Sequence, residues 1–435
     1  MSKNGSISTE QVVYRTDLYP RIATDPALVQ RYAENLDVLP AIEINQNNEL
    51  IDGWHRWTAH KKVGAATIAV TITHTASDAQ LLELAIERNA SHGMQLSAKD
   101  KQAMARRIYL AILPPDRNGK KAHLCKLLSV SERTMTDWLK DIDKDAKKER
   151  DEKIFDLWLA CRTQDEIANT VGCAIGLVNE TTKTFTNGSS ADSEKISKSD
   201  HVLAEFAETD QDGQASFKPP LYTLWTWSKK SEGPSHFGNS EKGIVENLIY
   251  LYTQPFDVVY DPFAGSGSTI DVCKRRLRRY YVADRLPIIE RKEDIRQADV
   301  ATGPPSMPWK DVRLVYLDPP YWRQAHEKYS ADKEDLANMP LDDFHNTLSK
   351  FIAATAKKMS GGGFISLLMQ PTQWNAPERE FTDHIAHLLC VVKLPIDIRI
   401  PCPYSTEQCT PQMVEWSKTN RKPLVISREL VVWKV

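Results

Sequence analysis

Apolar positions along the chain change their period several times, and each change marks a different kind of structure. Between residues 10 and 80 the runs are short. Pro40-Ala41-Ile42-Glu43-Ile44 and Thr67–Ile72 read as strands, and Arg56–Lys62 between them reads as a helix that stops at Gly64. A small α+β domain follows from this. From Leu81 to Phe185 apolar residues recur at helical spacing, with capping signals at Ser97 and Ser131. The pattern then lapses at Thr186-Asn187-Gly188-Ser189-Ser190 into a polar, mostly acidic stretch reaching Ser216, which is linker composition. Beyond it strands return at Asp257–Tyr260, Tyr280–Ala283, Val312–Leu317, Phe364–Met369, Val391–Leu394 and Leu430–Trp433, with helical stretches between the first four. This alternation predicts a doubly wound, Rossmann-like α/β domain whose ligands lie beyond the carboxyl ends of its strands.

Composition narrows the possibilities. With 435 residues, 41% hydrophobic and 26% charged, the chain has the length for several domains and the balance of a globular protein. No apolar run approaches the roughly 20 residues a bilayer span needs, and the polar start Met1–Ser6 has no apolar signal core behind it. No membrane partner and a cytoplasmic location are expected. The seven cysteines form no C-x-x-C pair, so reduced thiols without a metal are expected. Net charge is only -2, but residues 99–140 hold ten Lys/Arg against four Asp/Glu, a local +6. Two stretches there and just beyond, Lys121–Leu139 and Gln164–Val178, have helix-turn-helix cadence. In the first, Ser131 caps the second helix, and Arg133, Thr134 and Thr136 would face a major groove.

Two segments carry chemistry. Asp261-Pro262-Phe263-Ala264-Gly265-Ser266-Gly267-Ser268-Thr269 leaves a strand and opens a helix. Gly265 and Gly267 let the backbone turn sharply and approach a ligand, while the helix start offers free N–H groups. No Lys follows in the place a phosphate P-loop requires. Asp284 ends the next strand, where an acid in such folds bonds ribose hydroxyls, and Asp299 in Gln297–Val300 could meet an adenine amino group. The second segment, Asp318-Pro319-Pro320-Tyr321, ends the strand Val312–Leu317, because two prolines cannot continue a ladder. An amine on an aromatic ring is a poor nucleophile. Asp318 and the Pro319 carbonyl can hold its two hydrogens and favour a pyramidal nitrogen, while Tyr321 stacks on a base rotated out of a duplex.

Together these segments resemble the paired motifs of the amino-group DNA methyltransferases, the adenine-N6 and cytosine-N4 enzymes that use S-adenosyl-L-methionine. The resemblance covers about residues 218–435. It implies Asp261, Pro262, Phe263, Ala264, Gly265 and Gly267 as the cofactor loop, Asp284 and Asp299 as further cofactor contacts, and Asp318, Pro319, Pro320 and Tyr321 as the catalytic set. His236, Phe237, Gly238 and Asn239, with the helix through Ile244–Tyr252, resemble the family's additional cofactor motif. Asp at the head of the D-P-P-Y segment favours adenine. About 50 residues separate the two motifs, which leaves no room there for a target-recognition domain. The loop 322–340, the insertion 395–423 and the helix-turn-helix region are the candidates. Pro401-Cys402 stands too late in the sheet order for cytosine-C5 chemistry.

Leu50–His60, with Glu87-Arg88-Asn89 and the helical units after it, is similar to the ParB/sulfiredoxin-like domain of chromosome-partition proteins over about residues 10–185. The resemblance implies nucleotide phosphates bound at Gly53, His55 and Arg56. Trp54 stands where sulfiredoxins carry their cysteine, which excludes that chemistry. The expected organisation is thus a ParB-like domain at 10–95, a helix-turn-helix region at 96–185, a linker at 186–217 and a methyltransferase domain at 218–435. The expected partner is double-stranded DNA, with a homodimer, a bound nucleotide and a restriction-modification setting left open. Cytosine-N4 methylation, RNA methylation and a DNA-binding regulator with a silent methyltransferase domain stand as alternatives.

Overall fold

The computed structural model describes residues 3–91, 96–117, 119–187, 217–218, 220–226, 242–323, 332–359, 362–403 and 409–435. It forms two compact units, residues 1–150 and 151–435.

The first unit opens with a four-stranded sheet of order β1-β4-β2-β3, built from β1 (Lys3–Ser8), β2 (Ile42–Ile44), β3 (Leu50–Asp52) and β4 (Thr67–Ile72). The helices α1 (Pro26–Ala33) and α2 (Trp54–Lys62) accompany it, and Val12, Tyr19, Ile42, Ile44, Leu50, Trp57, Ile68 and Val70 fill the core. β1 lies outside the expected 10–80 region. Its sequence, Lys-Asn-Gly-Ser-Ile-Ser, lacks an apolar face, and it forms by antiparallel pairing along the edge of β4. A helical layer follows: α3 (Asp78–Ser91), α4 (Ala98–Ala111), α5 (Lys120–Leu128) and α6 (Glu132–Leu159). Met104, Tyr109, Leu124, Leu128, Met135 and Leu139 make its core. The capping signal at Ser97 is a reciprocal box with Asp100, and the Ser131 hydroxyl accepts from the Thr134 amide at 3.1 Å.

The boundary between units falls within α6, so the helical segment expected over 96–185 is shared between them. In the second unit, Arg296 donates to the carbonyls of Ala160 and Cys161 at 3.2 and 3.0 Å, and its guanidinium lies 4.0 Å over the Tyr281 ring. The hairpin α7 (Gln164–Val171) and α8 (Ile175–Asn187) turns at Gly172 in the left-handed region, φ 72°.

The main body of this unit is a seven-stranded sheet of order β10-β11-β9-β8-β5-β6-β7. Its strands are β5 (Val258–Asp261), β6 (Arg279–Asp284), β7 (Arg296–Gln297), β8 (Val312–Leu317), β9 (Phe364–Met369), β10 (Ile396–Pro401) and β11 (Glu429–Lys434). β5 to β9 are parallel, and β11 runs antiparallel to both β9 and β10. Every residue of β5 is buried because both faces are covered. Val258 and Tyr260 face one core with α11 (Leu341–Lys358) and α12 (His384–Val391). Val259 faces the other, with α9 (Lys242–Tyr252) and α10 (Ser268–Arg275). The doubly wound expectation is met.

Two local expectations are corrected. Val391-Val392-Lys393-Leu394 is not a strand: Val391 closes α12, and the strand is β10, inside the expected insertion 395–423, because a short apolar run fits a buried helix end equally well. Between β6 and β8 there is no α-helix among the described residues, only β7 and single 3-10 turns. Residues 220–226 form no strand. Trp225 alone is buried there, donating its amide to the Pro401 carbonyl at 3.0 Å. Among the described residues no helix is long and apolar enough to cross a membrane.

Candidate functional site

From β5 the chain builds outward through β6 and β7 on one side, then returns to place β8 on the other. The topological switch point therefore lies between β5 and β8, where the carboxyl ends diverge and leave a crevice. β5 ends in Asp261, and β8 runs directly into Asp318.

Asp261 is 2% exposed. Its Oδ1 accepts from the Phe263 amide at 2.8 Å and its Oδ2 from the Thr269 hydroxyl at 2.5 Å, so one carboxylate clamps both ends of the glycine turn. Burial, reinforced by the charges of Asp318 and Asp284, pushes its carboxyl up to about 7. Asp284, at the end of β6, accepts from the amides of Gly265 and Leu286 at 2.9 and 3.0 Å, and the Ala264 amide donates to the Ala283 carbonyl at 2.9 Å. The loop Pro262–Gly267 is thus pinned to two strand ends. Its glycines serve different needs. A Cβ on Gly267 (φ 81°) would lie 2.9 Å from Arg291 Cδ and 3.0 Å from Ile270 Cδ1, a packing constraint. One on Gly265 (φ 51°) would meet, among the described residues, only the Phe263 carbonyl, at 4.0 Å, so these leave the space over Gly265 open.

Across the crevice Asp318 is half-buried and accepts from the hydroxyls of Tyr316 and Tyr321 at 3.3 and 3.2 Å. Pro319 is buried; Pro320 and Tyr321 are half-buried. Behind this turn lies a buried chain of polar groups that sequence reasoning missed. The Thr372 hydroxyl donates to the Trp322 carbonyl at 2.9 Å and meets His384 Nε2 at 2.9 Å, while His384 Nδ1 meets His345 Nε2 at 3.0 Å. With the Thr372 proton committed to the carbonyl, His384 and His345 must each carry their proton on Nε2. Burial, with repulsion from neighbouring histidines, pushes His345 down to about 4 and His384 down to about 3, so both are neutral at pH 7. Residues 322, 345, 372 and 384 come from four segments, and no spacing in the sequence announces their meeting.

Asp299 caps a 3-10 turn by accepting from the Ala301 amide at 2.9 Å and pairs with Arg285 Nε at 3.1 Å. Arg285 also holds Asp332, with Asp335 3.9 Å away. The Asp299 carboxylate is therefore engaged with the protein rather than presented freely. His236, Phe237, Gly238 and Asn239 lie outside the described residues. The helix expected after them is α9, and its Lys242 pairs with Asp271 of α10 at 3.1 Å.

In the first unit, Gly53 (φ 104°) opens α2, but a Cβ there would lie 2.7 Å from Ile42 Cγ2. Arg56 donates to the carbonyls of Pro40 and Ala41 at 2.9 and 2.6 Å and to Asp52 at 2.7 Å. His55 Nε2 accepts from the Asp25 amide at 2.9 Å. All three residues read as a nucleotide cradle have structural partners here. On α6, Arg133 and Thr136 are exposed, and Thr134 is half-buried and joined to Ser131.

Residues 89–289 match a family model of N6/N4 methyltransferases described as DNA methylase. That span includes the Asp261–Thr269 turn and Asp284 and ends before Asp318. No curated protein matches the chain. Among solved structures, the chain is similar to the pNOB8-like ParB N-domain at 14% identity and TM-score 0.25, covering 32% of this chain and 64%, just under two thirds, of that one. The ParB of Caulobacter crescentus complexed to the centromeric parS site aligns at 13% identity and TM-score 0.23, covering 43% of this chain and 94% of that one. TrmN from Thermus thermophilus aligns at 15% identity and TM-score 0.29, covering 46% of this chain and 50% of that one.

Proposed function

We propose that the crevice between β5 and β8 transfers a methyl group from S-adenosyl-L-methionine to the N6 amine of an adenine rotated out of double-stranded DNA. The observation that carries this reading is the convergence of Asp261, Asp284 and Asp318 around an open glycine turn, with a Pro-Pro-Tyr turn facing it.

The residues present fit the cofactor. The space over Gly265 admits a ligand against the backbone, and the turn leads into α10, where a helix start offers N–H groups. Asp284, fixed by the Gly265 and Leu286 amides at the end of β6, stands where an acid in such folds bonds ribose hydroxyls. Bound there, S-adenosylmethionine supplies an electrophilic methyl group. Asp318 and the Pro319 carbonyl accept the two amino hydrogens of the base and aim the nitrogen lone pair at that methyl. The hydroxyls of Tyr316 and Tyr321 hold the Asp318 carboxylate in place, and the Tyr321 ring offers a stacking surface. Asp318 or water would take the surplus proton from the methylated nitrogen. No covalent enzyme intermediate is required. The basic segment 99–140 supplies phosphate contacts.

The test is nucleoside mass spectrometry on DNA from cells expressing the intact protein or Asp318→Ala. N6-methyladenine with the intact protein alone is the expected result. N4-methylcytosine would move the target base while keeping the mechanism, and methylation confined to RNA, or none with soluble protein, would overturn the reading.

A further inference from the structure

We infer that α13 (Pro411–Asn420) and the loop carrying Trp374 and Arg379 form a second DNA contact, one that grips the duplex backbone beside the target base. The inference rests on the proposed function and names the surface that the short spacing between the two motifs leaves unassigned.

None of the ten residues of α13 is buried, so hydrophobic burial does not explain its place. Its Trp416 ring meets Trp374 edge-on at 5.7 Å, and the Arg379 guanidinium lies 4.0 Å over Trp374 and 5.2 Å from Trp416. The segment after the helix is fastened to the end of β9. Gln373 donates to the Pro423 carbonyl at 3.2 Å and accepts from the Val425 amide at 3.2 Å, and Gln370 donates to the Val425 carbonyl at 3.2 Å. Thr372, within that same stretch, holds the Trp322 carbonyl of the catalytic turn. The α13 hairpin is therefore built onto the edge that displays Asp318.

Its charge is unmatched. Residues 410–423 hold Lys418, Arg421 and Lys422 against Glu415 alone, a local +2, and all three cations are exposed. Among the described residues no carboxylate pairs with these three or with Arg379. Some cations elsewhere in this unit are matched, Arg276 with Glu246, Arg285 with Asp299 and Arg399 with Glu429, but the exposed Lys357 and Lys358 at the end of α11 have no carboxylate among the described residues either, which makes them the like-charged comparison. Exposed cations beside a pre-stacked guanidinium and two half-buried indoles are the composition of a nucleic-acid surface. A duplex whose base has been rotated into the crevice presents phosphates to this edge.

The experiment compares the full-length protein with a triple variant, Lys418→Gln/Arg421→Gln/Lys422→Gln, and a control, Lys357→Gln/Lys358→Gln, whose exposed lysines end α11. Binding to a duplex oligonucleotide is titrated over a range of salt concentrations, and S-adenosylmethionine affinity on the same preparations reports integrity. The triple variant is expected to bind duplex at least tenfold more weakly, with a log–log salt slope shallower by about 2.7, roughly 0.9 per lost phosphate contact. The control should match the intact protein. Unchanged affinity and slope in the triple variant, or an equal loss in the control, would overturn the inference while leaving the methyl-transfer reading intact. An intact protein that neither binds nor methylates duplex DNA, or that prefers structured RNA, would overturn both.

Discussion

Two places in this molecule carry the same local signature, and they differ in what meets the glycine among the described residues. At Gly53 and at Gly265–Gly267 a strand ends in an acid and glycines of positive φ lead into a helix. In the first unit the region around the glycine is occupied: Ile42 fills the Cβ position, Arg56 is bonded to two carbonyls and Asp52, and His55 takes the Asp25 amide. In the second unit a Cβ on Gly265 would meet, among the described residues, only the Phe263 carbonyl at 4.0 Å, Asp284 holds its amide, and the charges of Asp284 and Asp318 are felt at Asp261 beside it. A glycine before a helix is thus evidence of a tight turn, and whether the turn serves packing or a ligand depends on what the rest of the fold puts there.

Exchanging the two strand-end acids tests this contrast most severely. Asp318→Asn is expected to lower kcat for methyl transfer by about 10³-fold or more with little change in Tm, because a neutral amide is a weaker acceptor for its amino hydrogen and cannot take up the surplus proton. Asp52→Asn should lower Tm and leave kcat per folded molecule alone, since its partner is Arg56. If Asp52→Asn abolished methyl transfer without loss of stability, the contrast would collapse. Gly53→Ala is the next largest effect. A methyl group forced against Ile42 at φ 104° should cost about 3 kcal/mol in urea unfolding. Arg56→Ala, which strips three hydrogen bonds, should cost about 2 kcal/mol. A nucleoside triphosphate that raised the Tm of the intact protein, but not of Arg56→Ala, would return the first turn to ligand binding.

Acid titration tests the shell behind the catalytic turn. His345 and His384 titrate below their ordinary value of about 6.5 because burial disfavours the imidazolium. Asp342 acts on His345 in the opposite sense, and His387 adds repulsion to both. The unfolded chain therefore binds more protons below pH about 6.5, and stability falls as pH drops from there to about 4, by several kcal/mol. His384→Gln should flatten that part of the stability profile, which chemical denaturation at several pH values would measure. Smallest is Gly265→Ala: the methyl group meets nothing closer than 4.0 Å, so the fold should lose only about 1 kcal/mol, for the φ of 51°. Cofactor affinity, read by calorimetry, should fall severalfold as the methyl enters the open space. An unchanged affinity would place the ligand elsewhere.

How much of this was legible beforehand varied with how local its cause was. The parallel core strands announced themselves because burial on both faces requires apolar runs such as Val-Arg-Leu-Val-Tyr-Leu in β8 and Phe-Ile-Ser-Leu-Leu-Met in β9. The edge strand β1 and the hairpin strand β10 did not, since each is selected by a neighbour's unpaired amides and carbonyls rather than by its own side chains. The same holds for the site. Asp261, Asp284 and Asp318 each stand at a strand end that the apolar pattern marks, whereas Thr372, His384 and the Arg285 cluster act through partners from distant segments.

By itself the sequence determined the strand ends, the glycine turn and the Asp-Pro-Pro-Tyr stop, because proline, glycine and uninterrupted apolar runs act on the backbone within a few residues. Tertiary structure alone decided that β5 and β8 are neighbours across a switch point and that Arg56 turns inward. It also decided that the buried histidines stay neutral behind the catalytic turn. Those outcomes depend on distance and burial between residues far apart in the chain, quantities that exist only once the sheet has closed around them.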